Sequence, residues 1–316
     1  MDNKPVLGLI VGPTASGKTA ASVHLAKRLN AEIISADSVQ VYRGLDIGSA
    51  KPTLEERQGI PHHLMDAVDI NSPKFSVAEF QRMAHDAICD ITQRGKYPLV
   101  VGGTGLYVNS LTYPLDFTSS PGDEKLRSEL SRAEDENPGS VYEMLKSEDP
   151  AAAARIHPNN LKRVIRALEV VRLTGKGMDE HGGDFANEKE KDIPYEPRIV
   201  GITYPREKLY ERINLRVDIM MQTGLLEEAR RVFDAGYDLS LPSLQGLGYR
   251  QLFRHFQGSC TLEEAVEAIK NETRHFAKRQ MTWFKRDKRI VWFDASEYSD
   301  TIKMYDEMYK VLSGEV

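Results

Sequence analysis

Short apolar runs alternate with longer amphipathic segments in the first third of the chain. Three runs have the length and composition of buried strands and end in glycine or polar residues: 6–11, 31–38 and 97–101. Residues 20–29 and 75–94 instead space their apolar positions as helices do, and Ser76 with Glu79 is typical of a capping box. This alternation predicts a parallel sheet with its ligand-binding loops at the carboxyl ends of the strands.

The pattern changes at about residue 114, where charged, alanine-rich segments begin. Helices are predicted there at 123–132 and 159–173. An apolar run at 198–203 then resumes the strand pattern, and the apolar spacing within 206–233 predicts one long amphipathic helix.

The C-terminal part returns to alternating helices and strands. Thr261 with Glu264 predicts a capped helix that runs to about residue 283, and 289–293 predicts a short strand. We therefore expect two parts, an α/β domain made of residues 1–113 and 198–316, and an inserted helical subdomain made of residues 114–197.

A phosphate-binding loop follows the first predicted strand. The pattern G-x-x-x-x-G-K-[ST] is matched in full by Gly12, Pro13, Thr14, Ala15, Ser16, Gly17, Lys18 and Thr19. A predicted helix begins directly after it, so successive backbone N–H groups and the helix dipole would favour an anion. Lys18 can neutralise the outer phosphate, and the Thr19 hydroxyl can bind Mg²⁺. The sequence thus predicts a P-loop NTPase-like α/β fold that binds a di- or triphosphate.

Composition is that of an ordinary globular protein. The chain has 316 residues, of which 41% are hydrophobic and 28% charged, with a net charge of −5. No secretory signal or membrane span is apparent, so a cytoplasmic protein without a membrane partner is expected. Cys89 and Cys260 encode neither a disulfide framework nor a zinc module. His62 and His63 are expected to form structural hydrogen bonds, because adjacent side chains on a helix diverge by about 100°.

Basic residues are concentrated in two segments of the chain, although its net charge is negative. Basic residues with interleaved aromatics lie between Arg274 and Arg289, and a second basic cluster lies between Lys162 and Lys176. Either cluster can be a solvated helix face or a surface that binds nucleic acid phosphates.

The carboxyl ends of the predicted strands supply candidates for chemistry. The strand 97–101 ends in Gly102 and Gly103, where many P-loop hydrolases have an acid that orders Mg²⁺. Asp37, which follows the second strand, is the nearest acid, and topology places it near the phosphates as a metal-ordering group or a general base. Thr104 can reach the same crevice or can cap a turn.

Several motifs in order along nearly the whole chain resemble those of bacterial tRNA dimethylallyltransferases. They are the phosphate loop and residues 37–42 (DSVQVY), 46–52 (DIGSAKP), 102–107 (GGTGLY), 153–159 (AARIHPN), 246–250 (GLGYR) and 277–284 (AKRQMTWF). The resemblance implies transfer of a dimethylallyl group from dimethylallyl diphosphate to the exocyclic amine (N6) of an adenosine. That adenosine lies just 3′ of the anticodon in tRNAs that read codons beginning with U. Diphosphate would leave, and Mg²⁺ would be required.

The resemblance also implies roles for individual residues. Lys18, Thr19 and Arg216 would stabilise the charge that develops on the leaving diphosphate, while Asp37 would accept the proton from the amine and Thr104 would position the reacting centre. Contacts with tRNA are implied for Asp37, Ser38, Val39, Gln40, Thr104, Arg127, Lys162, Arg163, Val164, Ile165, Arg166, Gln245, Gly246, Leu247, Gly248, Tyr249 and Arg250. The implied partners are the anticodon stem-loop of tRNA and dimethylallyl diphosphate, bound by a monomer.

Other functions remain open from the sequence. An adenylate isopentenyltransferase that acts on free nucleotide would share the phosphate loop and Asp37, and a small-molecule kinase would use the loop for ATP. The basic helical insertion favours tRNA over a mononucleotide, and Gly102 and Gly103 argue against a kinase. A non-catalytic RNA-binding protein would leave the phosphate loop without a use.

Overall fold

The computed structural model describes residues 4–72, 75–115, 122–175, 177 and 193–315. The chain divides into two compact units, one made of Met1–Thr112 with Pro194–Val316 and the other of Tyr113–Ile193. We call them the sheet unit and the helical unit. Among the described residues, no helix is both long enough and apolar enough to cross a membrane.

A parallel sheet forms the centre of the sheet unit. Its strands are β1 (Val6–Val11), β2 (Ala31–Ala36), β3 (His62–His63), β4 (Tyr97–Gly102), β5 (Glu196–Thr203) and β6 (Val291–Asp294). Their order across the sheet is β3-β2-β4-β1-β5-β6, and every pair is parallel. Val11 and Ala36 both lie opposite Gly102, so β1, β2 and β4 end at the same level. The register brings the loops after these strands together at one edge.

Helices cover both faces of this sheet. They are α1 (Lys18–Leu29), α2 (Leu54–Arg57), α3 (Val77–Gln93), α4 (Gly105–Thr112), α9 (Arg206–Gln222), α10 (Leu225–Asp234), α11 (Tyr249–Phe256), α12 (Leu262–Phe284) and α13 (Thr301–Ser313). Leu25 of α1 and Met308 of α13 share one apolar core with strand residues such as Ile33, whereas Phe80 and Val108 belong to the core on the other face. The predicted parallel sheet flanked by helices is confirmed.

Two predicted helix starts are confirmed by their caps. The Ser76 and Thr261 side chains accept hydrogen bonds from the backbone N–H groups of Glu79 and Glu264, and each glutamate bonds back. The single helix predicted over 206–233 is wrong, because the chain breaks into α9 and α10 at Gly224. Gly224 has a φ of 105°, a left-handed conformation that disfavours residues with a Cβ and ends a helix.

His62 and His63 lie in β3 and not in a helix, and adjacent side chains of a strand point to opposite faces of the sheet. His62 Nδ1 lies 2.8 Å from the carbonyl oxygen of Ile60, and His63 Nε2 lies 2.7 Å from a carboxylate oxygen of Glu32. The expected structural hydrogen bonds are therefore present. Within the described ranges, no group of three or more His, Cys, Asp and Glu side chains is arranged to hold a metal ion.

The helical unit contains α5 (Glu124–Glu136), α6 (Ser140–Glu148), α7 (Pro150–Arg155) and α8 (Leu161–Thr174). Its apolar core includes Leu130, Val141, Leu145 and Leu168. The helix α5 begins at the side chain of Asp123, which accepts hydrogen bonds from the first N–H groups of the helix. Residues 176 and 178–192, which include part of the second basic cluster, lie outside the described residues.

Candidate active site

The phosphate loop lies between β1 and α1, and the side chains around it hold it in place. Gln280 of α12, which is 7% exposed, accepts a hydrogen bond from Thr14 N–H at 2.8 Å and donates one to the carbonyl oxygen of Gly103 at 3.0 Å. Arg212 of α9 donates to the carbonyl oxygen of Ala15 at 2.8 Å. The loop is thus fixed by side chains from two helices that are distant from it in the sequence.

Polar groups of the loop are available for an anion. The Ser16 hydroxyl is buried and has no hydrogen-bond partner among the described residues. Lys18 Nζ donates to the carbonyl oxygens of Gly12 and Pro13 at 2.9 and 2.6 Å, which places its charge directly over the loop. An unpaired buried hydroxyl costs free energy, and a phosphate oxygen would satisfy it.

Two basic side chains, Lys18 and Arg216, are close enough at this loop to influence each other electrostatically. Arg216 of α9 is half-buried and, within the described residues, forms neither a hydrogen bond nor an ion pair. The pKa of Lys18 is lowered to about 7: burial is the largest cause, the neighbouring charge of Arg216 acts in the same direction, and Asp37 opposes both. Burial also lowers the pKa of Arg216. The mutual repulsion of two desolvated cations would be relieved by a bound diphosphate.

Asp37 begins the turn that follows β2. One carboxylate oxygen, Oδ1, accepts hydrogen bonds from the N–H groups of Val39 and Gln40 at 2.9 and 3.2 Å. The other oxygen, Oδ2, has no hydrogen-bond partner within the described residues. The turn therefore fixes the carboxylate while leaving one oxygen free to accept a proton or to bind a metal-bound water.

Thr104 lies beside this turn. Its Oγ1 accepts a hydrogen bond from Ser38 N–H at 3.1 Å and donates to Ser38 Oγ at 3.4 Å, and its own N–H bonds the carbonyl oxygen of Ala36 at 3.2 Å. The structure thus brings together Thr104 and the Asp37 turn, and the turn-capping role of the hydroxyl is present.

The helix α12 packs against the loop that follows β4. A Cβ at Gly103 would lie 2.1 Å from Gln280 Nε2, and a Cβ at Gly105 would lie 2.2 Å from the ring of Trp283. Because real Cβ atoms do not approach so closely, only glycine allows this contact. The sequence reasoning assigned Gln280 no role, since only the folded chain brings it to the phosphate loop.

A second loop, residues 46–51, packs beside the Asp37 turn. Gln40 Nε2 donates to the carbonyl oxygens of Ser49 and Ala50 at 3.3 and 3.2 Å, and Gln40 Oε1 accepts from Ser35 Oγ at 3.0 Å. Its amide, for which a tRNA contact was expected, is thus bonded within the protein. Lys51, with a side chain only 3% exposed, pairs with Asp46 and Asp66 at 2.6 Å each.

The segment 245–250 lies against this second loop. Tyr249 is fully buried, and its hydroxyl donates to Glu228 at 2.6 Å. Arg250 and Gln245 are exposed, and Arg250 pairs with Glu272. The expectation of a tRNA contact needs correction at Tyr249, because its ring is enclosed by the core of the sheet unit.

In the helical unit, the residues expected to contact tRNA fall into three groups. Val164 and Ile165 are 0% and 8% exposed, so the expectation needs correction there: these side chains face the apolar core. Arg127 and Arg166 both pair with the buried carboxylate of Glu169, which also accepts from Asp123 N–H. Burial disfavours the charged form of Glu169, but these hydrogen bonds outweigh it and lower its pKa. Lys162 and Arg163 are exposed.

Comparisons with known proteins point to one family. The family described as IPP transferase matches residues 40–287. A tRNA dimethylallyltransferase of Alkaliphilus metalliredigens (strain QYMF) is 50% identical over 294 residues, which cover 93% of this chain and 93% of that protein.

Solved structures give the same result. The full-length tRNA isopentenylpyrophosphate transferase of Bacillus halodurans is 44% identical with a TM-score of 0.74, and the match covers 98% of this chain and 96% of that chain. A eukaryotic dimethylallyltransferase acting on tRNA is 31% identical with a TM-score of 0.80, covering 97% of this chain and 78% of that chain. Together with the parallel sheet, these neighbours confirm the P-loop NTPase-like fold class.

Proposed function

The chain belongs to the IPP transferase family, and from this premise we propose that it is a tRNA dimethylallyltransferase. It transfers the dimethylallyl group of dimethylallyl diphosphate to N6 of the adenosine 3′-adjacent to the anticodon, in tRNAs that read codons beginning with U. Diphosphate is released. The observation that carries the proposal is the pair of desolvated cations, Lys18 and Arg216, beside a carboxylate with one free oxygen on Asp37.

Each of these groups has a role in the transfer. The bond between C1 of the dimethylallyl group and the diphosphate oxygen breaks, and negative charge develops on the leaving group between Lys18 and Arg216. The N6 amine forms the new bond to C1 and gives its proton to Oδ2 of Asp37. Thr104 and the backbone N–H groups at Val39 and Gln40 hold the Asp37 turn during this step.

The phosphate loop suits a diphosphate together with Mg²⁺. The buried Ser16 hydroxyl without a partner fits a phosphate oxygen, and the half-buried Thr19 hydroxyl offers an oxygen ligand to the cation. Mg²⁺ binds readily through few protein ligands when substrate phosphates and waters complete its octahedron. When bound, it would neutralise charge on the diphosphate oxygens.

We also propose that tRNA is bound by exposed polar residues of both units. Gln245 and Arg250 are the candidates in the sheet unit, with Ser38 of the Asp37 turn, and Lys162 and Arg163 are the candidates in the helical unit. The target adenosine is stacked in the anticodon loop, and flipping it out costs a few kcal/mol that contacts to flanking nucleotides offset. A monomeric, cytoplasmic enzyme is part of this proposal.

Incubation with radiolabelled dimethylallyl diphosphate tests the function. The full chain is expected to label an unmodified anticodon stem-loop RNA in the presence of Mg²⁺ and to leave AMP unlabelled. Labelling of AMP alone would indicate an adenylate isopentenyltransferase, and phosphate transfer from ATP would indicate a kinase.

Lys18→Ala is expected to abolish labelling, because removing a charge-assisted phosphate contact costs on the order of several kcal/mol in the transition state. Lys27→Ala is the matched control on the same helix, since the exposed Lys27 bonds the exposed Gln58. Full activity of the Lys18 variant would contradict the assignment of this loop to the donor.

A further inference from the structure

Glu228 of α10 is a buried carboxylate that joins a segment 180 residues before it to Tyr249, which lies 21 residues after it. It is 2% exposed. Oε2 accepts hydrogen bonds from the N–H groups of Asp46 and Ile47, each at 2.9 Å, and Oε1 accepts from Gly48 N–H at 2.9 Å. Oε1 also accepts from the Tyr249 hydroxyl at 2.6 Å. Each oxygen of the carboxylate therefore accepts two hydrogen bonds.

No cation neutralises this carboxylate within the described residues. Its charge is balanced only by three backbone N–H dipoles and one hydroxyl. Removing a carboxylate from water is costly, but an apolar residue at this position would leave three backbone N–H groups and the Tyr249 hydroxyl without their acceptor. What the carboxylate adds is geometric, because its two oxygens tie residues 46–48 to Tyr249 through four hydrogen bonds.

The two segments that Glu228 joins both lead to groups of the proposed RNA site. The loop that begins at Asp46 continues to Ser49 and Ala50, whose carbonyl oxygens hold the side chain of Gln40 in the Asp37 turn. Tyr249 is followed directly by the exposed Arg250.

The two segments are also in close contact. A Cβ at Gly48 would lie 2.5 Å from Tyr249 Cζ, so a change in one segment must displace the other.

We propose that Glu228 is a positioning residue for RNA binding, whose carboxylate sets Arg250 and the Asp37 turn at the separation that the anticodon loop requires. The inference rests on the proposed function. Among the hydrogen bonds of the described residues, Glu228 bonds Asp46, Ile47, Gly48 and Tyr249 and no residue of the phosphate loop, so its effect is expected on RNA binding and not on binding of the isoprenoid donor.

Glu228→Gln tests the inference with almost no change in volume. An amide has one accepting oxygen and one NH₂ group, so in either orientation its NH₂ faces at least one backbone N–H group, which it repels. We expect the dissociation constant for an unmodified anticodon stem-loop RNA to rise about tenfold, a loss of about 1.4 kcal/mol. The affinity for dimethylallyl diphosphate, measured by calorimetry without RNA, should stay within about threefold of wild type.

Tyr249→Phe provides a milder test that keeps the ring in the core. It removes only the hydroxyl that donates to Glu228, so we expect a smaller loss of RNA affinity. The double variant should bind RNA about as weakly as Glu228→Gln alone, because both changes break one network. Additive losses would contradict a shared network.

Glu32→Gln is the matched control for general destabilisation. Glu32 is another buried carboxylate of the sheet unit, but its partners Arg94, Lys96 and His63 belong to neither RNA segment. Its RNA affinity should equal that of wild type. If the wild type modifies the RNA but Glu228→Gln and Tyr249→Phe bind it with unchanged affinity, the positioning role of Glu228 is overturned and the proposed function is not. A wild type that binds the RNA without transferring the dimethylallyl group would overturn the proposed function.

Discussion

At the scale of single residues, the carboxylate of Asp37 can have two roles: it can be the general base that accepts the proton of the amine, or it can order a metal ion. Its Oδ1 is occupied by two backbone N–H groups, whereas its Oδ2 is free within the described residues. An exocyclic adenine amine is a weak nucleophile, because its lone pair is delocalised into the ring. Removal of its proton as the new bond forms should therefore contribute to the rate, and the free oxygen suits that role.

Asp37→Asn is expected to lower the single-turnover rate by about two to four orders of magnitude, because the amide cannot accept the proton. Its oxygen can still accept the two N–H bonds of the turn, so the affinities for donor and RNA should change little. Rapid-quench single-turnover assays at saturating RNA measure the rate. Asp69→Asn, which affects an exposed acid paired with Arg43, is the control. A parallel collapse of donor and Mg²⁺ affinity with a near-normal rate would make Asp37 a metal-ordering residue.

Some residues of the candidate site can be predicted from the sequence, and others cannot. The phosphate loop is a local pattern, and Asp37 and Thr104 follow from their places at strand ends, so all three could be predicted. Gln280 and Glu228 could not, because their partners lie 266 and 180 residues away in the chain. No local periodicity encodes such contacts, and a buried polar side chain has no signature distinct from an exposed one.

At the scale of elements, the helix α8 illustrates how one motif serves two purposes. Its successive residues Lys162 and Arg163 are exposed, Val164 and Ile165 face the core, and Arg166 pairs with Glu169. A resemblance that covers the whole run cannot separate these faces, but the helical period of 3.6 residues does. Helical periodicity does not predict the break at Gly224, because helices tolerate a single glycine and the apolar spacing continues on both sides of the break.

Replacing Lys162 and Arg163 by alanine should weaken RNA binding and make it less dependent on salt. Each lost phosphate contact is expected to lower the slope of log K against log salt by about 0.7 to 0.9. Fluorescence anisotropy with the stem-loop RNA at several salt concentrations measures this slope. Lys125→Ala, an exposed lysine of α5 outside the cluster, is the control. An unchanged slope would identify the cluster as a solvated helix face.

At the scale of the whole molecule, the sheet unit carries its charged network at the end opposite the phosphate loop. Glu32, near the start of β2, has a side chain only 3% exposed. Arg94 donates to both of its oxygens at 2.5 and 2.7 Å, and Lys96 adds a bond at 2.7 Å. Together with His63 these residues connect β2 and β3 with the end of α3 and with Lys96, the residue before β4, so the network stabilises the sheet away from the phosphate loop.

This network makes the stability of the protein depend on pH in a defined direction. The hydrogen bonds from Arg94 are the main cause that holds the pKa of Glu32 well below its ordinary value of 4.5; burial opposes them, and Lys96 and His63 assist. Because the pKa is depressed in the folded state, the stabilisation is complete above about pH 4.5 and is lost progressively as the pH falls below that value.

Glu32→Gln should therefore lower the free energy of unfolding by about 1.5 to 3 kcal/mol at pH 7, since hydrogen bonds to charged groups are lost. The difference from wild type should shrink as the pH falls from about 4.5 toward the depressed pKa, where the wild-type carboxylate also becomes protonated. Urea denaturation at pH 7, 5.5, 4 and 3.5 measures both effects. Asp86→Asn, which breaks the exposed pair with Arg82, should change stability by less than about 1 kcal/mol at every pH. A Glu32→Gln difference that stays constant down to pH 3.5 would show that packing, and not the ionised carboxylate, provides the stabilisation.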